Sequence, residues 1–371
     1  MRIDLPGAPG HAMSEPRTYK PPAGPAASRV AYAAAHVVAG EESLDWDATL
    51  AFRRHLWSYG LGVAEAMDTA QRGMGLDWTT TRELIVRSGE EALSAGGRIV
   101  CGAGTDQLPP GPASLEDIAA AYEEQLAVIE SAGAVPVLMA SRHLAAAATG
   151  PEDYAAVYGR LLAQVRRPVV LHWLGPMFDP ALEGYWGSAD LDVASGALLA
   201  LIGEHASRID GVKISLLDAG REVDLRRRLP SGVRLYTGDD FNYPELIRGD
   251  SEGHSDALLG VFDPIAPAAA AALHALDGGD TASYEEIFAP TVPLARHLFE
   301  TPTYYYKTGV VFLAWLTGHQ RHFRMVGGLE TARSVTHMSG LFRLADAAGL
   351  FPDPDLAAHR MRAWLTVQGA A

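Results

Sequence analysis

"SLEDIAAAYEEQLAVIESAGAVPVLMA", residues 114–140, contains both rhythms from which this chain is built. Leu115, Ile118, Tyr122, Leu126 and Ile129 recur at three- and four-residue intervals, which puts apolar side chains on one face of a helix. Ser114 followed by Asp117 makes a capping-box-like start, so the spacing predicts a helix over 114–132. The short apolar run "VPVLMA" at 135–140 then reads as a buried strand.

The same alternation extends to either side. Strand-like runs occur in "RVAYAAAHVV" (29–38), "GVAEAMD" (62–68), "RIVCG" (98–102), "PVVLHW" (168–173), "GVKIS" (211–215), "VRLYT" (233–237) and "ALLGVF" (257–262). Amphipathic stretches near 47–59, 78–96, 151–165, 188–206 and 264–278 separate most of them. The "DLRRRLPSG" connection (224–232) is short for a helix. Alternating strands and helices imply a parallel sheet, and eight such units over roughly 250 residues fit a (β/α)8 barrel better than an open sheet. No G-x-G-x-x-G follows the first strand. Residues 281–369 read as three or four helices without strands. Residues 1–28, rich in Pro, Gly and Ala, read as a loosely ordered arm. The expected organisation is an arm (1–28), an α/β barrel (29–280) and a C-terminal helical extension (281–371).

Composition narrows the function. With 48% hydrophobic and 20% charged residues the chain can bury a large core. A net charge of −15 repels phosphate backbones and anionic membrane surfaces, so neither nucleic acid nor membrane is an expected partner. The single cysteine, Cys101, excludes an intramolecular disulfide and a cysteine-rich zinc site. The N-terminus lacks the apolar core of a secretory signal, and no apolar run approaches the ~20 residues of a membrane span. A cytoplasmic protein acting on a small molecule is expected.

Of 30 basic residues only three are lysines: Lys20 in the arm, Lys307 in "TPTYYYKTG", and Lys213 in the apolar run "DGVKISLLD" (210–218). An amine can lose its proton when buried and attack a carbonyl, whereas a guanidinium stays charged. Strand alternation places Lys213 opposite Val212 and Ile214; if these pack outward, the lysine points into the barrel. The alternative is a structural lysine paired with an acid such as Asp240. Lys307 is the reserve amine.

Catalytic groups of such barrels gather at the C-terminal ends of the strands. Those ends carry His36; Asp68 and Thr69; Gly104, Thr105 and Asp106; Ser141, Arg142 and His143; His172; Lys213 and Ser215; Asp239 and Asp240; and Phe262 with Asp263. His172, one strand from Lys213, can pass protons near neutrality, or be a hydrogen-bonded histidine of the barrel mouth. "TGDD" (237–240), with Gly238, Asp239 and Asp240, offers acceptors for substrate hydroxyls, or is a turn and helix cap. Acidic loops after strands seven and eight disfavour a phosphorylated substrate. His36, Glu65, Asp68, His143 and His172 are the alternative set for a divalent metal, although no tight ligand spacing marks them.

With these residues placed, the chain resembles the dihydrodipicolinate synthase and N-acetylneuraminate lyase superfamily, lysine-dependent lyases on a (β/α)8 barrel. The resemblance spans about residues 29–350 and places this chain in a divergent branch. "PVVLHW" stands where the family has its strand-five tyrosine motif, "DGVKIS" at its Schiff-base lysine, and "YTGDD" at its Ser/Thr-Gly-Asp-Asp stretch; "GAGTD" (102–106) and "ETPTYYYK" (300–307) keep the family order. The family's Gly-Thr-Thr-Gly-Glu loop becomes Asp68, Thr69, Ala70, Gln71 and Arg72. The proton-shuttling tyrosine becomes His172, the arginine of the strand-five loop is missing from "GPMFDP", and Ser141, Arg142 and His143 stand in place of the strand-four-loop tyrosine.

The resemblance implies a cofactor-independent, Schiff-base-forming aldolase or dehydratase acting on a non-phosphorylated keto acid or keto sugar. Lys213 would be the nucleophile, with His172 and Thr69 shuttling protons. Asp68, Gln71, Arg72, Arg142, His143, Gly238, Asp239, Asp240 and Phe262 would bind substrate, with Arg72 or Arg142 available to a carboxylate. A homodimer or homotetramer is expected. A metal-dependent sugar isomerase or aldolase, and a non-catalytic sugar-binding barrel, are the alternatives.

Overall fold

A computed structural model describes residues 1–370. Eight parallel strands close into a barrel: β1 (Ala31–Ala34), β2 (Gly62–Glu65), β3 (Ile99–Ala103), β4 (Val135–Leu138), β5 (Val169–Leu174), β6 (Ile209–Ser215), β7 (Arg234–Thr237) and β8 (Asp256–Leu259). Each strand pairs with its sequence neighbours and β8 closes on β1 through Ala257 and Ala31. β2 and β5 are buried along their whole length, which is why their sequences run apolar without polar alternation.

In chain order the helices are α1 (Trp46–Ser58), α2 (Trp78–Ala95), α3 (Leu115–Ser131), α4 (Arg142–Ala147), α5 (Pro151–Gln164), α6 (Leu191–His205), α7 (Ala219–Arg228), α8 (Tyr243–Arg248) and α9 (Ala266–Asp277). α3 carries the capping box expected of it: the Ser114 side chain accepts from Asp117 N–H and the Asp117 carboxylate from Ser114 N–H. The connection at 224–232, short for a helix in sequence, contributes residues 224–228 to the ten-residue α7; the helix N-cap is Asp218, upstream of the arginine run.

The chain divides into two compact units. One comprises residues 29–35 and 62–260 and holds all eight strands. Its interior is filled by Ala34, Ala64, Val100, Val137, Val170, Tyr236 and Leu258. Two glycines admit phenol rings there: a Cβ on Gly62 would lie 2.3 Å from the Tyr32 ring, and one on Gly211 2.7 Å from the Tyr236 ring.

The other unit comprises residues 1–28, 36–61 and the chain from Val261 onward. Residues expected to be a loosely ordered arm include an antiparallel hairpin, Arg2–Leu5 with Ala8–Ala12. After α9 come α10 (Thr281–Phe288), α11 (Thr291–Leu298), α12 (Tyr306–Leu316), α13 (Val335–Ala347) and α14 (Pro354–Val367). This is five helices against the three or four expected, because two short helices, α10 and α11, are separated only by Ala289 and Pro290. α12 is buried on nearly every side, as its apolar sequence requires.

Candidate active site

Lys213 occupies the fifth position of β6 and is 7% exposed. It alternates with Val212 and Ile214, and its strand partners in register are His172 on β5 and Tyr236 on β7. Tyr236 and Val170 belong to the interior cluster, so the period-two alternation puts His172 and Lys213 on the same inner face, on strands about 4.8 Å apart. Burial lowers the Lys213 pKa, while the charges of Asp68 and Asp240 act in the opposite direction. Asp240, the acid the sequence offers as a partner, is thus one of two carboxylates whose charge acts on the amine.

His172 is fully buried. Burial, and next the Lys213 charge, hold its pKa well below the ordinary imidazole range, so the ring is neutral. Nε2 lies 3.2 Å from Ser215 Oγ, while Nδ1 has no hydrogen-bond partner. Ser215, two residues beyond the lysine on the same face, is therefore part of the constellation; the K-x-S spacing was the available signal.

Gly238 is fixed by the lysine itself. A Cβ there would lie 2.8 Å from Lys213 Cε and 2.1 Å from Ser215 Oγ, so only glycine lets the aliphatic stem of the lysine pass. Asp239 fulfils the turn reading: its carboxylate accepts from Phe241 N–H, Asn242 N–H and Asn242 Nδ2. Asp240 is the member of the pair whose charge reaches Lys213. Behind this loop, Glu222 of α7 is 1% exposed and accepts from Thr237 Oγ1 (2.9 Å) and Ser255 Oγ (2.7 Å). Burial pushes its pKa up to about 8 against those two hydrogen bonds, with Asp239 adding to the upward push.

A cavity of about 510 Å3 opens over the loops after β2 to β5. Asp68, Arg72, Thr105, Arg142, His143 and Asp179 supply much of its polar wall, and Leu108, Met139, Leu174 and Leu182 its apolar wall. Lys213 does not line this cavity; Asp68, on the wall, is the residue whose charge acts on the amine. Thr69 is buried in the 3-10 turn Asp68–Ala70. Gln71 is buried in the left-handed conformation and donates from Nε2 to Met74 O.

The two guanidiniums expected to receive a carboxylate are already engaged. Arg72, 3% exposed at the side chain, donates to both Asp106 oxygens, to Ala66 O, Gly102 O and Gln125 Oε1. Burial would raise the Asp106 pKa, but the Arg72 charge and hydrogen bonds hold it below its ordinary value. Arg142 donates from Nε to Asp179 Oδ2 at 2.5 Å and remains 53% exposed. His143 has Nδ1 3.1 Å from Thr105 Oγ1 and Nε2 3.2 Å from Pro109 O. Thr105 in turn meets Ser141 Oγ at 2.6 Å. Sequence reading missed Tyr185, from the long loop after β5, whose hydroxyl accepts from Ser141 N–H (3.1 Å) and meets the Tyr158 hydroxyl (2.8 Å).

Phe262 falls in the helical unit, where it stacks on Phe288 at 6.2 Å. Lys307 Nζ donates to Tyr304 O at 3.0 Å and lies 4.8 Å from the Tyr306 ring centre. Of the alternative metal set, Glu65, Asp68, His143 and His172 form no group at ligand distances. Among the described residues the grouping at ligand distances is His297, Glu300 and His337 instead. These two imidazoles are stacked, 16° from parallel with centroids 4.3 Å apart, so one ion cannot lie in both ring planes.

The family model described as "Protein of unknown function (DUF993)" matches residues 7–370. The chain belongs to this family. No curated protein matches it. This DUF993 chain is similar in fold to dihydrodipicolinate synthase from Aquifex aeolicus, at a TM-score of 0.68, 14% identity, and coverage of 87% of this chain and 99% of that one. Dihydrodipicolinate synthase from Thermotoga maritima gives the same four figures. YagE from E. coli K12, of the dihydrodipicolinic acid synthase family and solved in complex with pyruvate, gives a TM-score of 0.65 and 14% identity, covering 85% of this chain and 98% of that one. The expected (β/α)8 barrel is borne out, and it is the fold of these dihydrodipicolinate synthases. No helix of the DUF993 chain, among the described residues, is long and apolar enough to cross a membrane.

Proposed function

We propose that this protein is a Schiff-base-forming lyase, an aldolase or dehydratase, acting on a small non-phosphorylated carbonyl compound. The observation that carries this reading is a nearly buried amine on the inner face of a closed barrel, with a lowered pKa and a neutral imidazole as its strand neighbour. Burial moves the amine toward the unprotonated form that carbonyl attack requires.

In this reading Lys213 Nζ forms a bond to the carbonyl carbon while the π pair moves to oxygen, giving a carbinolamine. Loss of water gives a protonated imine. The pair from the breaking carbon–carbon or carbon–oxygen bond then flows toward the imine nitrogen. His172, held by Ser215, takes and returns the protons, and Thr69, in the turn after β2, assists. Asp68 and Asp240 stabilise the cationic intermediate, having acted on the ammonium before it.

Substrate preference follows from the guanidiniums of the wall. Arg72 is saturated by Asp106, Gln125 and two carbonyls and cannot grip a carboxylate, whereas Arg142 gives only Nε to Asp179 and stays half-exposed, so the polar wall favours a hydroxylated carbonyl compound with at most one carboxylate over a dicarboxylate. The mixed lining also accommodates an apolar substituent. Borohydride reduction with a panel of keto acids and keto sugars, followed by peptide mass spectrometry, tests the reading. A reduced adduct on Lys213, absent in Lys213→Arg, is expected. An adduct on Lys307, or none with any carbonyl compound, would overturn it.

A further inference from the structure

The cavity over the loops after β2 to β5 lies wholly within the barrel unit, and one cation on its wall keeps free donors. Arg142 follows the N-cap Ser141 as the first residue of α4. It gives Nε to Asp179 Oδ2, and its side chain stays 53% exposed. A guanidinium carries five N–H donors, so the four on Nη1 and Nη2 are left without a protein acceptor among the described residues.

Its position is fixed on two sides. Asp179 is held by Ala181, whose N–H donates to Oδ1 at 3.1 Å. A Cβ built on Gly73 would lie 3.6, 3.7 and 3.8 Å from Nη1, Nη2 and Cζ, so the guanidinium rests against the loop after β2. The group thus bridges the loops after β2 and β5, with one edge tied and the other open. The acids of the cavity wall are Asp68, Asp106 and Asp179. Asp106 accepts from Arg72 on both oxygens, Asp179 is tied to Arg142 itself, and the charge of Asp68 acts on Lys213. Each acid already faces a cation, and the open Nη edge has the geometry to take a further carboxylate bidentately.

The strand register sets how far that edge stands from the amine. His172 is level with Lys213, and Leu138 with Leu171, so Met139 shares the level of the lysine from two strands away. Arg142 comes three residues beyond Met139, and its side chain leads toward the loop after β2, away from β6. With about 4.8 Å between neighbouring strands, a group on the Nη edge and a carbon bonded to Nζ are on the order of 10 Å apart. A 2-oxo acid, whose carboxylate is bonded directly to the carbonyl carbon, does not span that gap. The cavity, of about 510 Å3, equals roughly 17 waters in volume and is far larger than a three-carbon keto acid needs. Met139, Leu174 and Leu182 wall it with apolar surface.

We propose that Arg142 determines specificity at this site, its Nη1 and Nη2 receiving the single carboxylate of an oxo acid in which an apolar chain separates that carboxylate from the carbonyl carbon. The carbonyl part of this assignment rests on the Lys213 reading; the carboxylate anchor does not.

Isothermal titration of the full chain at constant ionic strength with hexanoate, 1-hexanol and acetate tests the anchor, because none of the three carries a ketone for the amine to attack. Hexanoate should bind at least tenfold more tightly than 1-hexanol, which lacks the charge, and than acetate, which lacks the chain. Arg142→Gln, at a half-exposed position where folding is retained, should weaken hexanoate at least tenfold and leave 1-hexanol within about twofold. Equal affinity for the acid and the alcohol, no binding of hexanoate, or binding unchanged in Arg142→Gln would each overturn the proposal. Borohydride trapping then sets 7-oxooctanoate against pyruvate and 2-octanone. Faster trapping of 7-oxooctanoate than of either is expected, with its lead over 2-octanone lost in Arg142→Gln. Pyruvate trapped as fast as 7-oxooctanoate would overturn the separation of the two groups. No trapping of any ketone beside intact hexanoate binding would refute the Lys213 reading and leave the anchor standing.

Discussion

Replacing Glu222 by glutamine should make the protein more stable at neutral pH, although it removes a residue with two good hydrogen bonds. The carboxyl is 1% exposed, and burial raises its pKa from 4.5 to about 8. In the unfolded chain it titrates at its ordinary value, so between pH 4.5 and 8 the folded state binds one proton more than the unfolded state. Stability from this group is therefore complete below pH 4.5 and falls as pH rises through the window, at about 1.4 kcal/mol per pH unit. By pH 7 the loss is about 3 kcal/mol, on the order of a quarter to a half of a typical domain's stability. Glutamine is isosteric and uncharged, and Thr237 Oγ1 and Ser255 Oγ can each either donate or accept. One hydroxyl can donate to the amide oxygen and the other accept from the amide nitrogen, so both contacts persist at every pH. Urea unfolding of the two proteins at pH 5, 6, 7 and 8 isolates the effect, because every other titrating group cancels in the difference. Near-equality at pH 5 should give way to an advantage for Glu222→Gln that grows with each unit. Parallel curves, or an advantage largest at pH 5, would refute the reasoning.

Other outcomes follow from the same geometry. The rate of borohydride-trappable imine formation should rise with pH through a midpoint below 10.5, the ordinary lysine value, because burial lowers the Lys213 pKa; a midpoint at or above it would remove the basis for a neutral nucleophile. Gly238→Ala should cost about 1–3 kcal/mol in urea unfolding and reduce trapping at least tenfold, since the added methyl falls on Lys213 Cε and Ser215 Oγ; full trapping would show that the stem moves freely. Arg72→Met should cost about 3–5 kcal/mol by stranding Asp106 and Gln125, whereas Arg142→Gln, removing a half-exposed pair, should cost less than about 1 kcal/mol; equal losses would contradict the burial difference.

The barrel was legible because its signals are local. Eight apolar runs separated by helix-period segments need no knowledge of distant contacts, and α3 could be capped from Ser114 and Asp117 alone. Lys213 stood out for a related reason: two-residue alternation fixes a face once its neighbours are seen to be apolar. What escaped depended on partners far along the chain. Arg72 looked free in sequence, but Asp106, Gln125 and two carbonyls claim it. Arg142 is met by Asp179, 37 positions away. Tyr185 reaches Ser141 from a loop whose irregular course no periodicity encodes. Phe262 was assigned to the site from its place after β8, yet it sits among the helical residues, where Phe288 takes its ring.

Tyr32 and Tyr236 give the barrel a further property. Their rings, centroids 6.2 Å apart, fill the layer near the strand starts, where glycines 62 and 211 make room; the Tyr236 phenol is tied to Asp210 at 2.6 Å. These two rings thus fill the cylinder from beneath, and in the proposed reaction the substrate reaches the amine from the opposite end, where the loops after the strands lie. In a cleavage that makes two fragments, the piece not tethered to nitrogen lies nearer the exit. For the proposed lyase this would order release, the free fragment leaving before water comes in to discharge the other.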